Sequence, residues 1–233
     1  MNIQNSVAFV TGANRGLGLA LIHALQARGA RKIYAGVRDI ASIDLPGVIP
    51  VQIDVANGAQ VAAAAARCGD VDLLINNAGI AQMVPVTDDG AFDAMRAMFD
   101  VNVLGIVRTS QAFGPVLAAN GGGAMVNILS VASWVNAPAL SLYASTKSAA
   151  WGITNGLRQS LAEQGTRVTG VHVGFMDTDM TKGIDFDKSS PAAVAAAILD
   201  AVAAGEEEVL ADDISAAVKR GLSDGIYLRP LER

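Results

Sequence analysis

The apolar run "SVAFVT" (Ser6–Thr11) passes without a break into "TGANRGLG" (Thr11–Gly18), and a helical pattern follows at once. Such a run reads as a buried strand that turns sharply into a helix. Glycines at 12, 16 and 18 stand at the turn. Missing Cβ atoms let the backbone fold back tightly and let a phosphate approach the main chain. The helix N-terminus behind it offers free N–H groups and the positive end of a dipole. The turn residues Gly12, Asn14, Arg15, Gly16, Leu17 and Gly18 are therefore candidate contacts to a nucleotide phosphate. The spacing is not the familiar GxGxxG, because three residues separate the first two glycines.

The rest of the chain alternates short apolar runs with longer helical patterns. "KIYAGV", "VIPVQI", "VDLLIN", "AMVNIL", "RVTGVHV" and "EEVLA" read as further strands. Helices are expected over Gly16–Arg28, in "GAQVAAAAARC", over Phe92–Ala119, over Leu142–Glu163 and in "SPAAVAAAILDAVAAG". The last of these has Ser190 as N-cap, Pro191 at the first helical position and Gly205 at the C-cap. Continuous rather than alternating apolar strands imply burial on both faces. The pattern predicts an α/β fold: a single Rossmann-type doubly wound parallel sheet of about seven strands, with helices on both faces. One core can serve 233 residues, so one domain spanning 1–233 is expected. The closing stretch "SDGIYLRPLER" reads as irregular.

Composition narrows the function. A net charge of −5, with no Lys/Arg block, disfavours nucleic acid and anionic membrane as partners. The single cysteine, Cys68, permits no disulfide within the chain and suits a reducing, cytoplasmic setting. No signal-like segment and no apolar run of ~18 residues is visible. His23 and His172 lack metal-ligand spacing and read as structural.

In dinucleotide-binding folds an acid about twenty residues past the glycine turn binds the adenosine ribose. Here the second strand ends "YAGVRD", with Val37 at that place and Arg38 after it. Two arginines, Arg15 and Arg38, and no acid suit a 2′-phosphate, hence NADP (NADPH) rather than NAD. Asp39 is the counter-argument, since it could serve the ribose or pair with an arginine.

In "YASTK" the phenol of Tyr143 and the ammonium of Lys147 lie four residues apart, on one face of a helix. A free phenol, with a pKa of about 10, is a poor acid–base group at neutral pH. A nearby ammonium is expected to favour the phenolate and lower that value, making Tyr143 a usable general acid or base.

With these residues in view, the chain resembles the short-chain dehydrogenase/reductase family from Val7 to about Leu210. The resemblance rests on "TGANRGLG", Asp54–Val55, "NNAG" (Asn76–Gly79), Asn102 in "DVNVLG", Ser130 in "NILSVAS" and "YASTK". Ser130 precedes Tyr143 by thirteen residues, the family's usual spacing.

The resemblance implies an NADP-dependent carbonyl reductase that exchanges a hydride with a ketone or alcohol. Its catalytic set would be Asn102, Ser130, Tyr143 and Lys147. Ser130 would polarise the carbonyl, and Lys147 would also reach the nicotinamide ribose. Asn102 would hold a water that relays protons. Asp54 and Val55 would flank the adenine, with Asn77, Ala78 and Gly79 along the adenosine side and Asn76 steadying the sheet. Val173, Gly174 and Thr178 would meet the nicotinamide. The family usually has Pro-Gly where Val173–Gly174 stand, a departure expected to leave that strand end less rigid.

Trp134 reads either as pocket wall or as packing, and Trp151 as packing. Phe175 and Met176 read as pocket lining or core. The short segment "DMTKGIDFDKSS" implies an open pocket tolerant of bulky ketones. A homodimer through the Tyr143 helix and the long helix before strand five is implied. The proline in "SDGIYLRPLER" argues against a tetramer. The competing reading is a non-catalytic NADP-binding regulatory module. The sugar epimerase branch of the fold is set aside because its substrate domain is longer.

Overall fold

Every residue of the first strand, β1 (Val7–Thr11), is buried. Val7 and Phe9 enter one apolar cluster, Ala8 and Val10 another. That is the period-two alternation of a strand covered on both faces. The computed structural model describes residues 1–229. The other strands are β2 (Lys32–Val37), β3 (Val48–Gln52), β4 (Leu73–Asn76), β5 (Ala124–Ile128), β6 (Arg167–His172) and β7 (Glu208–Leu210). They form one seven-stranded sheet in the order β3-β2-β1-β4-β5-β6-β7. All neighbours run parallel.

Helices α1 (Gly16–Ala27) and α6 (Pro191–Ala204) cover one face through residues such as Leu21, Leu25, Ile198 and Val202. Helices α2 (Gly58–Arg67), α4 (Gly105–Ala119) and α5 (Ser141–Ser160) cover the other, with Val61, Phe113, Leu117 and Leu157 facing the sheet cluster. Each large apolar side chain taken fully out of water contributes about 1.5–3 kcal/mol.

The chain runs outward from β1 to β2 and β3, then returns to the far side of β1 as β4. Connections thus diverge between the C-terminal ends of β1 and β4. Open parallel sheets bind ligands in the crevice formed at such a switch point.

The expected strands and the Ser190–Pro191–Gly205 punctuation are all present. Three features differ. The long helix expected over Phe92–Ala119 is α3 (Ala91–Phe99), a π-helical turn (Asp100–Leu104) and α4. After the wide turn, Gly105 packs on Val55 so closely that a Cβ there would lie 2.9 Å from the valine methyl. Helix α5 ends at Ser160 rather than Glu163, because Gly165 takes φ +78° and Thr166 N–H returns to the Leu161 carbonyl at 3.1 Å. A seventh helix, α7 (Asp213–Arg220), was not foreseen. The described part of the closing stretch, up to Arg229, contains two short 3-10 turns, Leu222–Asp224 and Ile226–Leu228. Pro230, on which the argument against a tetramer relied, lies outside the described residues. Among the described residues no helix is long and apolar enough to cross a membrane.

Candidate active site

At the end of β1, Gly12 (φ +64°) and Gly16 (φ +53°) take the left-handed conformation that favours glycine. A Cβ on Gly18 would lie 2.1 Å from the Gly12 carbonyl oxygen, so only glycine lets α1 start this close to the strand. The neighbouring strand locks the turn. Asn77 Nδ2 donates to the carbonyls of Thr11 (2.9 Å) and Gly12 (3.1 Å). Thr11 Oγ1 in turn accepts from the N–H groups of Asn77 (2.9 Å) and Ala78 (3.0 Å). No side chain caps α1, and no acid occupies its first turn. Its first N–H groups are thus left for an anion.

The cradle opens into a cavity of about 560 Å³ lined by Gly12, Asn14, Arg15, Gly16, Leu17 and Gly18. Arg38, Asp54, Val55, Asn77, Ala78 and Gly79 line it from the ends of β2, β3 and β4. Asp39 lines the same cavity beside Arg38. Its carboxylate accepts from Ala41 N–H at 3.0 Å and caps a short turn, and it makes no ion pair with either arginine. Arg38 is exposed. Arg15 stands 3.5 Å from Asp179, with both side chains largely in solvent. Such a pair is worth about 0–1 kcal/mol and is readily exchanged for a better anion. Asp54 is held by Gln60 through its N–H and by Ala56 through its carboxylate.

Behind the cavity a buried polar chain crosses the sheet. Thr109 Oγ1 donates to Asn76 Oδ1 (2.8 Å), Asn76 Nδ2 to Asn127 Oδ1 (2.9 Å), and Asn127 Nδ2 to Thr154 Oγ1 (3.0 Å). Asn76 and Asn127 are register partners on β4 and β5, so the chain ties α4 to α5 through the sheet. Each buried amide left without its partner would cost about 1–3 kcal/mol.

Ser130, Tyr143 and Lys147 line the same cavity. Ser130 follows β5 in extended conformation. Its hydroxyl accepts from Ala132 N–H at 3.1 Å and donates to the Val173 carbonyl at 3.3 Å. The second bond is long, so the proton can turn to another acceptor. Lys147 is 6% exposed, and its Nζ donates to the Ile128 carbonyl at 2.8 Å. Burial pulls the ammonium down to about 8.

The expectation that Lys147 lowers the Tyr143 pKa is not met in this geometry. Burial pushes the phenol up to about 12, and the opposing influence is the Ser130 hydroxyl. Lys147 Nζ lies 5.7 Å from the Tyr143 ring centroid and spends its hydrogen bond on the end of β5.

Asn102 is fastened within the chain. Both of its amide hydrogens are used, toward the Ile80 carbonyl (2.9 Å) and Thr146 Oγ1 (3.0 Å), while Oδ1 accepts from Ile80 N–H (2.9 Å). The π turn aims this amide at the loop after β4, so the side chain fastens that loop. π turns inside helices recur at functional sites.

At the end of β6, Gly174 N–H donates to Asp212 Oδ2 at 2.6 Å, and a Cβ there would meet the Ile214 methyl at 2.5 Å. The strand end without its proline is thus pinned from α7, against the expectation of lower rigidity. Thr178 packs over Gly16, whose added Cβ would lie 3.3 Å from the threonine methyl. Phe175 stacks on Phe186 at 4.8 Å, which folds the segment after Thr178 back over the strand end. Trp134 is 9% exposed, stacks on His172 and does not line the cavity, so it packs.

The sequence model for short chain dehydrogenases matches residues 6–189. The chain belongs to this family. Its relatives include an uncharacterized oxidoreductase of Staphylococcus haemolyticus (strain JCSC1435), 32% identical over 213 residues, covering 86% of this chain and 92% of that one. A short chain dehydrogenase from Burkholderia cenocepacia J2315, solved in complex with NADP, is 39% identical over 100% of both chains, with a TM-score of 0.95. A short-chain dehydrogenase/reductase from Burkholderia phymatum, solved in complex with NAD, shares the fold at 24% identity and a TM-score of 0.89, covering 100% of this chain and 99% of that one.

This short-chain dehydrogenase also carries residues that sequence reasoning passed over: Asp212, Ile214 and Asp179. Asp212 as N-cap, Ile214 and Val218 one turn apart, and Lys219–Arg220 at the end form a readable helix signal. It went unread because the helix is only eight residues long.

Proposed function

We propose that this short-chain dehydrogenase is an NADPH-dependent carbonyl reductase. The observation that carries the reading is the meeting of Ser130, Tyr143 and Lys147 on the wall of one cavity whose other end is the uncapped glycine cradle. The glycine turn, with no side-chain cap and no acid in the first turn of α1, fits a pyrophosphate. Arg38, on the cavity wall and unpaired among the described residues, fits a 2′-phosphate beyond it.

When bound, NADPH supplies the hydride. The chain's residues supply orientation and the proton. Ser130 turns its O–H from the Val173 carbonyl to the substrate oxygen and polarises it. Tyr143, holding its proton firmly throughout the neutral range, delivers it to that oxygen as carbon is reduced. Lys147 restores charge balance beside the phenolate and reaches the ribose side of the cavity. Asn102 keeps the Ile80 loop in place, and its part in a proton relay toward Lys147 would be played beside Gly79. There an added Cβ would lie 3.4 Å from Asn102 Oδ1 and 3.9 Å from Lys147 Nζ. The reading includes a single catalytic domain, a cytoplasmic homodimer and a small-molecule ketone or aldehyde, bulky ones included, as substrate.

The test is NADPH oxidation, followed in absorbance, against a panel of aldehydes, ketones, diketones and quinones. Turnover with at least one carbonyl compound is expected. Tight NADPH binding without turnover on any of them would favour the regulatory-module reading instead.

A further inference from the structure

The His172 ring, read from sequence as merely structural, is completely buried directly behind the catalytic wall. Its Nδ1 lies 3.1 Å from the Ser130 carbonyl oxygen. A carbonyl only accepts, so the nitrogen facing it must carry a proton. Burial holds the imidazole down to about 4, so near neutrality the ring has one proton to place. That proton sits on Nδ1, and Nε2 is left bare. Nε2 has no hydrogen-bond partner among the described residues, and the carboxylate oxygen nearest it, Glu208 Oε1 at 3.8 Å, is itself an acceptor.

The surroundings hold the ring in this pose. Trp134 stacks on it with centroids 3.7 Å apart and planes at 19°. Trp151 meets it nearly edge-on at 6.3 Å and 77°. Lys219 binds Glu208 at 2.8 Å and lies 4.9 Å from the Trp134 centroid. Its charge compensates the carboxylate that Nε2 faces.

The Ser130 carbonyl belongs to the same short turn as the Ser130 hydroxyl. It accepts from Ser133 N–H (2.9 Å) while the hydroxyl accepts from Ala132 N–H (3.1 Å). Carbonyl and hydroxyl are thus tied into one hydrogen-bonded turn, Ser130–Ser133, and a shift of that turn carries the hydroxyl with it. We propose that His172 is a positioning residue, which fixes the Ser130 hydroxyl by donating Nδ1–H to the Ser130 carbonyl. The proposal rests on the reductase reading above, because it gives Ser130 a geometry worth holding. A packing role alone would need an apolar body of this size and no nitrogen at Nδ1.

Two variants separate the cases. His172→Leu keeps bulk and removes the donor, whereas His172→Asn keeps a donor close to the Nδ1 place and gives up the ring. With the best ketone from the panel, His172→Leu should lower kcat on the order of ten- to a hundredfold, the usual cost of a small misplacement at a reacting centre. Its KM for NADPH should stay unchanged, and His172→Asn should recover most of the loss. A His172→Leu variant as active as wild type, or an Asn variant no better than the Leu variant, overturns the proposal. An unreactive wild type overturns the reductase reading, and the positioning role with it. The wild-type chain also gives a direct reading that needs no variant to fold: 15N spectra should show Nδ1 protonated and Nε2 bare at pH 7. Protonated Nε2 with bare Nδ1 overturns the inference whatever the activities.

Discussion

The Lys147 side chain hangs from the end of β5, its Nζ donating to the Ile128 carbonyl at 2.8 Å, and not from the Tyr143 phenol one helical turn away. The charge is thus held in a nearly dry wall, and the fold bears the cost. Burial pulls the ammonium from 10.5 down to about 8. For a base with a depressed folded-state pKa, the unfolded chain binds more protons between about 8 and 10.5, so stability rises with pH across that window. Below it the penalty is constant, on the order of 3 kcal/mol. Lys147→Met should therefore stabilise the chain at pH 7 by roughly 1–3 kcal/mol, the lost hydrogen bond offsetting part of the gain, while turnover falls. Urea denaturation at pH 7 and pH 10 checks this. A variant less stable than wild type at pH 7 would refute it, and its advantage should shrink at pH 10.

Tyr143 makes the two reaction directions differ in pH. With the phenol pushed up to about 12, the acid form needed for carbonyl reduction is fully present at neutral pH. The base form needed for alcohol oxidation grows about tenfold per pH unit below that value. The oxidation rate should climb steadily from pH 7 to pH 10. A plateau beginning near pH 7 would mean that the phenol titrates far lower in the working enzyme. Tyr143→Phe should lower turnover in both directions by on the order of 10²–10⁴-fold, the usual worth of a positioned acid–base group. NADPH binding, measured by calorimetry, should survive.

The arginine at the end of β2 offers a test of the cofactor. Arg38 lines the cavity, is exposed and makes no ion pair among the described residues, with Asp39 beside it on the same wall. Arg38→Ala should weaken NADPH binding by about 1.5–3 kcal/mol, as for a lost charged hydrogen bond, and leave NADH binding nearly unchanged. Equal weakening of both cofactors would show that Arg38 does not read the 2′-phosphate.

Much of this was legible in the sequence because it depends on local chemistry. The buried strand meeting Gly12, Gly16 and Gly18 already implied a strand–turn–helix cradle. The Tyr143–Lys147 spacing already placed both on one helix face. What escaped depends on contacts between distant segments. Asp212 reaches Gly174 across 38 positions, and His172 reaches Ser130 across 42. No periodicity reports such pairs. The pKa directions escaped for a related reason. Spacing identifies which groups are near each other, but burial is set by the whole fold, and at Tyr143 it outweighs the Ser130 hydroxyl that opposes it. The π turn at Asn102 was invisible because the helical pattern continues on both sides of it.

The expected homodimer has a specific surface to use. Of the small α5 residues weighed from sequence, Ala144 is buried in the subunit, whereas Ser148 and Gly152 are exposed and Ala149 is half-buried. Gly156 continues the row, giving small exposed residues at 148, 152 and 156, one helical turn apart. A Cβ added to Gly152 or Gly156 meets nothing within 4 Å, so neither glycine is needed for packing within the subunit. Leu104, at the end of the π turn that leads into α4, is 45% exposed. A second copy related by a two-fold axis would bury these apolar and small surfaces against each other, the commonest closed assembly. Gly152→Arg places a long charged side chain in the middle of the row without touching the subunit core. Light scattering coupled to size exclusion should give a mass near two chains for wild type and near one for Gly152→Arg, with an unchanged far-UV circular dichroism spectrum. A variant that remains dimeric would move the interface off α5, and a wild-type mass near four chains would mean that a second contact exists.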